Sequence, residues 1–196
     1  MKILIIILLT GNILFAQLPE FFNLNGYKSL KFGISVEEAN NKITNYNLTV
    51  YADYFETVEL NDNTLLNIYK NDNEKIAYYL YFHDNYLYRI EICNHIGYSY
   101  NNPKFYYPVE GAKIDDIKEK LIGEYGEVSK TDIKYYTFYD KPFEEYILWW
   151  SSDLVSISLF IKPDLETLDK TIKKYSYRIT FYDEIKMKKI HISKRQ

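Results

Sequence analysis

His83, His95 and His191 are the only imidazoles in the chain and Cys93 is the only thiol, so any metal or nucleophilic chemistry must be assembled around them. A metal site needs several His, Cys, Asp or Glu side chains converging at suitable spacing. The three histidines lie far apart, and none has a second ligand one helical turn away. His83 reads as a hairpin-loop residue, His95 as a junction residue and His191 as part of a basic tail. Cys93 and His95 stand two residues apart, which on one strand turns both to the same face, but no third group orients the imidazole. A buried, inert thiol is the expectation for Cys93.

Acid–base catalysis by carboxylates needs two of them facing one substrate from different environments. The pairs Glu37-Glu38, Asp115-Asp116 and Glu144-Glu145 are adjacent in sequence and point apart. The first two also fall where a helix N-terminus favours negative charge. No glycine-rich loop follows a strand, so a phosphate cradle is not indicated. Asn47-Leu48-Thr49 matches a glycosylation acceptor on three residues only. These observations predict a protein without catalytic residues, metal or cofactor. What remains is aromatic: 22 Tyr and 11 Phe supply most of the means of stabilising the fold, since one cysteine rules out an intrachain disulfide.

The hairpin expected over Ile76–Cys93 shows how those rings would be placed. Apolar and aromatic residues alternate on both sides of a turn signal at His83-Asp84-Asn85. A three-residue loop puts Ile76, Tyr78, Leu80, Phe82, Tyr86, Tyr88, Ile90 and Ile92 on one side. Ala77, Tyr79, Tyr81, Leu87, Arg89 and Glu91 then share the other. A two-residue Asp84-Asn85 turn would pair Tyr81 with Tyr88 and bring Leu80, Arg89 and Glu91 to one face, so the longer loop is preferred. If a helix covers the first side, Tyr79, Tyr81 and Leu87 project from the second. Tyr135, Tyr139 and one of Trp149 and Trp150 are expected to do the same further along. Such a face suits recognition of a protein or stacking on sugar rings; the alternative is that the two halves pack together and bury it.

Residues 1–16 combine Lys2, an apolar run and Leu14-Phe15-Ala16 in the outline of a secretory signal peptide. Cleavage after Ala16 is expected, and retention as an anchor is the alternative. About 180 residues remain, with 23 basic against 27 acidic side chains, a net charge of −4. That balance argues against nucleic acid, whose phosphates need a basic face. Export, to the periplasm or beyond the cell, and no transmembrane span after cleavage are the resulting expectations.

The mature chain reads as α+β: two tandem repeats of a short helix followed by an antiparallel β-meander. The first half, 17–96, opens on an arm carrying Phe21 and Phe22. Ser35 and Glu38 form a capping box, and Val36, Ala39 and Ile43 make one stripe of a short helix. Strands are expected at 48–54, 57–60 and 65–69 before the hairpin. A junction occupies 97–112. The second half, 113–185, starts with a helix over Lys113–Tyr125, with Ile114, Ile117, Leu121 and Tyr125 on one stripe and Gly126 at its end. Strands follow at 133–139, 145–150, 154–161 and 175–183, with a short helix between Asp164 and Lys174. The basic tail, 186–196, is expected as a frayed or edge strand protected by its lysines.

Leu30-Lys-Phe-Gly-Ile-Ser-Val-Glu-Glu resembles the helix-entry motif of small exported bacterial modules that pack a helix on an antiparallel sheet, the β-lactamase-inhibitor-protein-like group among them. Glu124-Tyr-Gly-Glu-Val, followed by Tyr146-Ile-Leu-Trp-Trp and Val155-Ser-Ile-Ser-Leu, is similar to the second half of related modules. The chain departs from the inhibitor proteins in having no disulfide. The resemblance implies a fold and a habit of binding proteins, not an enzyme.

Overall fold

The computed structural model describes residues 22–23, 26–27, 30–44, 49–50, 64–71, 75–96, 105–152 and 154–193. Residues 1–16, expected as a leader, Asn47, the strand expected at 57–60, most of that at 48–54 and half of the expected junction lie outside them. No described helix is long and apolar enough to cross a membrane.

Three two-residue strands, β1 (Phe22–Asn23), β2 (Gly26–Tyr27) and β3 (Leu30–Lys31), form a small sheet leading into helix α1 (Val36–Thr44). Then come β4 (Thr49–Val50), β5 (Thr64–Asn71), β6 (Ile76–His83) and β7 (Tyr86–Cys93). A connecting stretch carries β8 (His95–Ile96), β9 (Phe105–Tyr106) and β10 (Val109–Glu110). Helix α2 (Gly111–Tyr125) precedes β11 (Lys130–Phe138), β12 (Lys141–Ser151), β13 (Val155–Pro163), a 3-10 turn (Leu165–Thr167), β14 (Lys174–Asp183) and helix α3 (Glu184–Ser193).

The two meanders form one sheet. Its order is β11-β12-β13-β14-β7-β6-β5-β4, antiparallel throughout, with β10 beside the start of β14. The seam is β14 against β7, where Ile179 meets Ile92 and Phe181 meets Ile90. The main core cluster runs across that seam. It joins Ala39 and Ile43 of α1 and Ile114, Ile117 and Leu121 of α2 to Leu80, Ile90, Ile92, Leu159, Ile179 and Phe181 of the sheet. Both helices therefore cover the same side.

Local chemistry sets each helix. The Ser35 hydroxyl accepts the Glu38 N–H at 3.1 Å, the expected cap, and the Asn85 side chain accepts the Val36 N–H at 3.0 Å. Gly33, at φ +93°, lies against the Tyr86 ring and exchanges the chain onto Leu87 through its N–H. Tyr69 donates its hydroxyl to Asn40 and so ties α1 to β5. Helix α2 begins at Gly111, two residues before the expected start, which moves Asp115 and Asp116 out of its first turn. It ends where Gly126 turns to φ +80°, and Trp150 Nε1 donates to the Gly126 carbonyl at 2.9 Å.

Three expectations need correction. The hairpin turn is two residues, Asp84 and Asn85, both at positive φ, the conformation Asp and Asn tolerate best. A bulge at Tyr88 then restores the alternation. Phe82 pairs with Leu87 and Tyr81 with Arg89, so Arg89 and Glu91 stay on the side away from the helices while Leu87 swings to the helix side. Leu87 is fully buried in the core. The third correction is the tail: Asp183 accepts the Lys186 N–H at 2.9 Å and starts helix α3, where a strand was expected. The short helix between Asp164 and Lys174 is a single 3-10 turn, capped by Asp164 through the Glu166 N–H at 3.3 Å.

Candidate functional site

Three places could carry function, and they sit on different parts of the one sheet. The first is the side away from α1 and α2. Strand pairing lays its residues out in rows: Trp149, Ser158, Thr180, Glu91 and Tyr79 form one, and Ser156, Tyr182, Arg89 and Tyr81 the next. Glu91 is 1% exposed. Arg89 Nη2 donates to one of its oxygens, and Arg178 Nε stands 3.8 Å from the other. The Tyr81 hydroxyl donates to Glu91 at 3.2 Å, and the Arg89 guanidinium lies 4.3 Å from the centre of the Tyr81 ring. Burial raises the Tyr81 hydroxyl above the usual phenol range, and the charge of Glu91 adds to it. The acid is thus enclosed by its own chain's cations and a phenol, an arrangement that fixes the sheet and leaves no free base.

Cys93 and His95 lie beside this cluster. The Cys93 thiol is buried and donates to the His95 carbonyl at 2.8 Å, and burial pushes it up to about 12. Burial and the neighbouring Arg178 charge lower the His95 imidazole to about 4. Both groups are neutral at pH 7, and a neutral thiol is a poor nucleophile. His83 bonds Thr64 Oγ1 at 3.3 Å and lies 3.3 Å from Asp84. No three potential metal ligands converge among the described residues.

The second place is the ribbon of β11 and β12. β12 pairs with β11 from Lys141 onward, whereas β13 joins only at Tyr146–Ile161. The part nearer the turn therefore overhangs the sheet as two strands alone. Ten large apolar side chains are exposed among the described residues, and Ile133, Tyr135, Tyr136, Phe138 and Tyr139 of this ribbon make up half of them. Tyr135 is 73% and Tyr139 83% exposed. Tyr136 stacks on Phe143 with ring centres 5.4 Å apart, and Phe138 meets Tyr139 edge-on at 4.5 Å. Tyr139 and Asp140 form the turn at φ +47° and +61°. That conformation costs a tyrosine about 1–2 kcal/mol, and strain of this kind clusters at sites of function.

The third is a cleft of about 570 Å³ where the sheet meets the 3-10 turn. Tyr106, Pro108 and Glu110 line it together with Asp164, Glu166 and Lys170. Asn94 ties the neighbouring backbone together: its amide donates to the Tyr107 and Tyr175 carbonyls at 2.9 and 3.1 Å, and its oxygen accepts the Tyr177 N–H at 2.9 Å. Burial raises the Tyr106 hydroxyl, and its neighbour Asp164, which accepts its hydrogen bond, raises it further.

The residues singled out from the sequence divide accordingly. Tyr135 and Tyr139 are presented to solvent, although Tyr135 lies on the helix side of the ribbon, opposite Glu144. Trp149 is half-buried on the other side, with Nε1 donating to Asp132 at 3.0 Å, and Trp150 is in the core. Tyr79 packs on Ile68, Ala77 and Cys93, and Tyr81 belongs to the Glu91 cluster, so both rings are half-buried among their own neighbours. Tyr106 was not anticipated, because nothing in Lys104-Phe-Tyr-Tyr-Pro marks which ring borders a cleft. No family model, curated protein or solved structure matches the chain.

Proposed function

We propose that this is an exported, non-enzymatic binding protein that recognises another macromolecule through the aromatic ribbon of β11 and β12. The observation that carries the reading is the concentration of exposed rings at 135–139 on a strained two-residue turn. Rigid aromatic side chains supply large contact area at small entropic cost, and they dominate the binding energy of protein interfaces. The resemblance to inhibitor-protein-like modules supports the same habit. The chain is read as two copies of a helix-plus-meander unit, 17–96 and 113–185; support comes from the order α1-β5-β6-β7 and α2-β11-β12-β13-β14, joined through their last strands.

The test pairs binding with stability. Tyr135→Ser and Tyr139→Ser together should shift stability by less than about 0.5 kcal/mol, because neither ring is buried. The same variant should fail to retain the envelope or medium components that the unaltered protein captures in a pull-down. An unchanged set of captured components would refute the ribbon as the binding surface.

A glycan of the cell envelope is the second reading, and the cleft at Tyr106 favours it. Its half-open ring is bordered by Asp164, Glu166, Thr167 and Lys170, the combination of a stacking face and polar neighbours that a pyranose needs. Tyr106→Ala would then abolish binding to envelope polysaccharide and leave the pull-down through the ribbon intact.

A further inference from the structure

Among the described residues β11 is an end strand of the sheet, and all of its residues except Asp132 are exposed. Its two-residue turn makes Phe138–Lys141 a hydrogen-bonded pair, after which bonded and non-bonded pairs alternate. The N–H and C=O groups of Thr131, Ile133, Tyr135 and Thr137 therefore point away from β12. Pro142, which has no N–H to offer, lies opposite Thr137, in keeping with this phase. An edge so exposed is a template for another strand.

We infer that β11 pairs antiparallel with β11 of a second copy, centred on Ile133, and so extends the sheet across a two-fold axis. A two-fold centred on any residue of β11 pairs outward-pointing residues with one another, but a centre at Asp132 or Lys134 sets two like charges face to face, and one at Tyr136 leaves Asp132 without a partner. Centring on Ile133 places Ile133 against itself, Thr131 against Tyr135 and Lys130 against Tyr136. It also places Asp132 opposite Lys134 twice, once on each side of the axis, and opposite charges facing across strands are stabilising. Centring on Tyr135 sets Asp132 against Phe138 and Lys134 against Tyr136, with no ion pair. Centres at Thr131 or Thr137 leave most of one strand without a partner. Asp132 is already oriented by Lys130 at 2.9 Å and by Trp149 at 3.0 Å, so its carboxylate is held on the face where the second copy's Lys134 arrives. The pairing brings Tyr135 and Tyr136 into the dimer and leaves Phe138 and Tyr139 at the turn free, so it shares part of the ribbon with the binding proposed above; Lys134→Glu keeps every ring in place and therefore tests the pairing by itself.

Sedimentation and light scattering of the purified protein over a wide range of concentration test it. The expected result is a mass that doubles from the monomer as concentration rises. Lys134→Glu turns two attractive pairs into two repulsive ones and should weaken the dimer about tenfold, and adding Asp132→Lys should recover much of that loss. Ile133→Pro removes an outward N–H while sparing the bonds to β12, and should leave a folded monomer. A monomer at every concentration overturns the inference, as does a dimer indifferent to Lys134→Glu. If Ile133→Pro fails to fold, the charge exchange decides alone.

Discussion

Replacing Glu91 by Gln keeps the shape of the side chain and one acceptor while removing the charge between Arg89 and Arg178. At 3.8 Å and an effective dielectric near 20, the attraction between Arg178 and Glu91 is about 4 kcal/mol before desolvation is counted. Arg89 makes a closer contact with the other oxygen. The two guanidinium side chains are 27% and 21% exposed, so water recovers only part of what each loses. Breaking such a pair by removing one partner costs about 3–5 kcal/mol, because the remaining cations stay half-buried without their counter-charge. Urea unfolding of Glu91→Gln should show that loss, together with a melting point lower by roughly 10 °C. Arg89→Met alone and combined with Glu91→Gln completes a cycle, whose coupling should exceed about 1 kcal/mol since the groups touch. A loss under about 1 kcal/mol for Glu91→Gln, or additive losses in the double variant, would mean that solvent reaches the carboxylate and the cluster contributes little.

Leu87→Ala should cost about 2–5 kcal/mol in the same assay, where a residue on an open sheet face would cost almost nothing. Neither carboxylate oxygen of Glu124 meets a hydrogen-bond partner among the described residues, and burial raises its pKa to about 7 against a pull downward from Lys120. The folded state therefore holds a proton that the unfolded chain releases near 4.5, so stability falls as pH rises through that window. Glu124→Met should remove this slope and raise stability above pH 7, read from unfolding curves at several pH values. His95 has the opposite sign: its folded pKa of about 4 lies below the ordinary 6.5, so the unfolded state takes up the proton first. Stability should decline by about 2–3 kcal/mol between pH 6.5 and 4, and His95→Gln should flatten that decline.

Short-range chemistry could be read directly from the residues. Ser35 with Glu38, the stripe of Ile114, Ile117 and Leu121, and Gly126 at positive φ each specify a helix end or face within a few neighbours. Alternation likewise marked the strands after α2, because period-two burial is a property of the strand itself. The side of the hairpin carrying Arg89 and Glu91 was legible for the same reason. Leu87 was not, since one bulged residue between the turn and Arg89 reverses its direction, and alternation carries no signal for where an extra residue is absorbed.

The amino-acid order by itself determined the α+β character, the helix caps and which residues alternate, all of which depend on contacts a few positions apart. Tertiary structure decided that the two meanders share one sheet through β14 and β7, and that Tyr79 and Tyr81 are occupied by their own neighbours. It also left β11 as the exposed edge, with Tyr135 and Tyr139 presented to solvent. Those outcomes rest on which strand edges meet and how far each strand outruns the next, and such long-range pairings are set by the whole core at once.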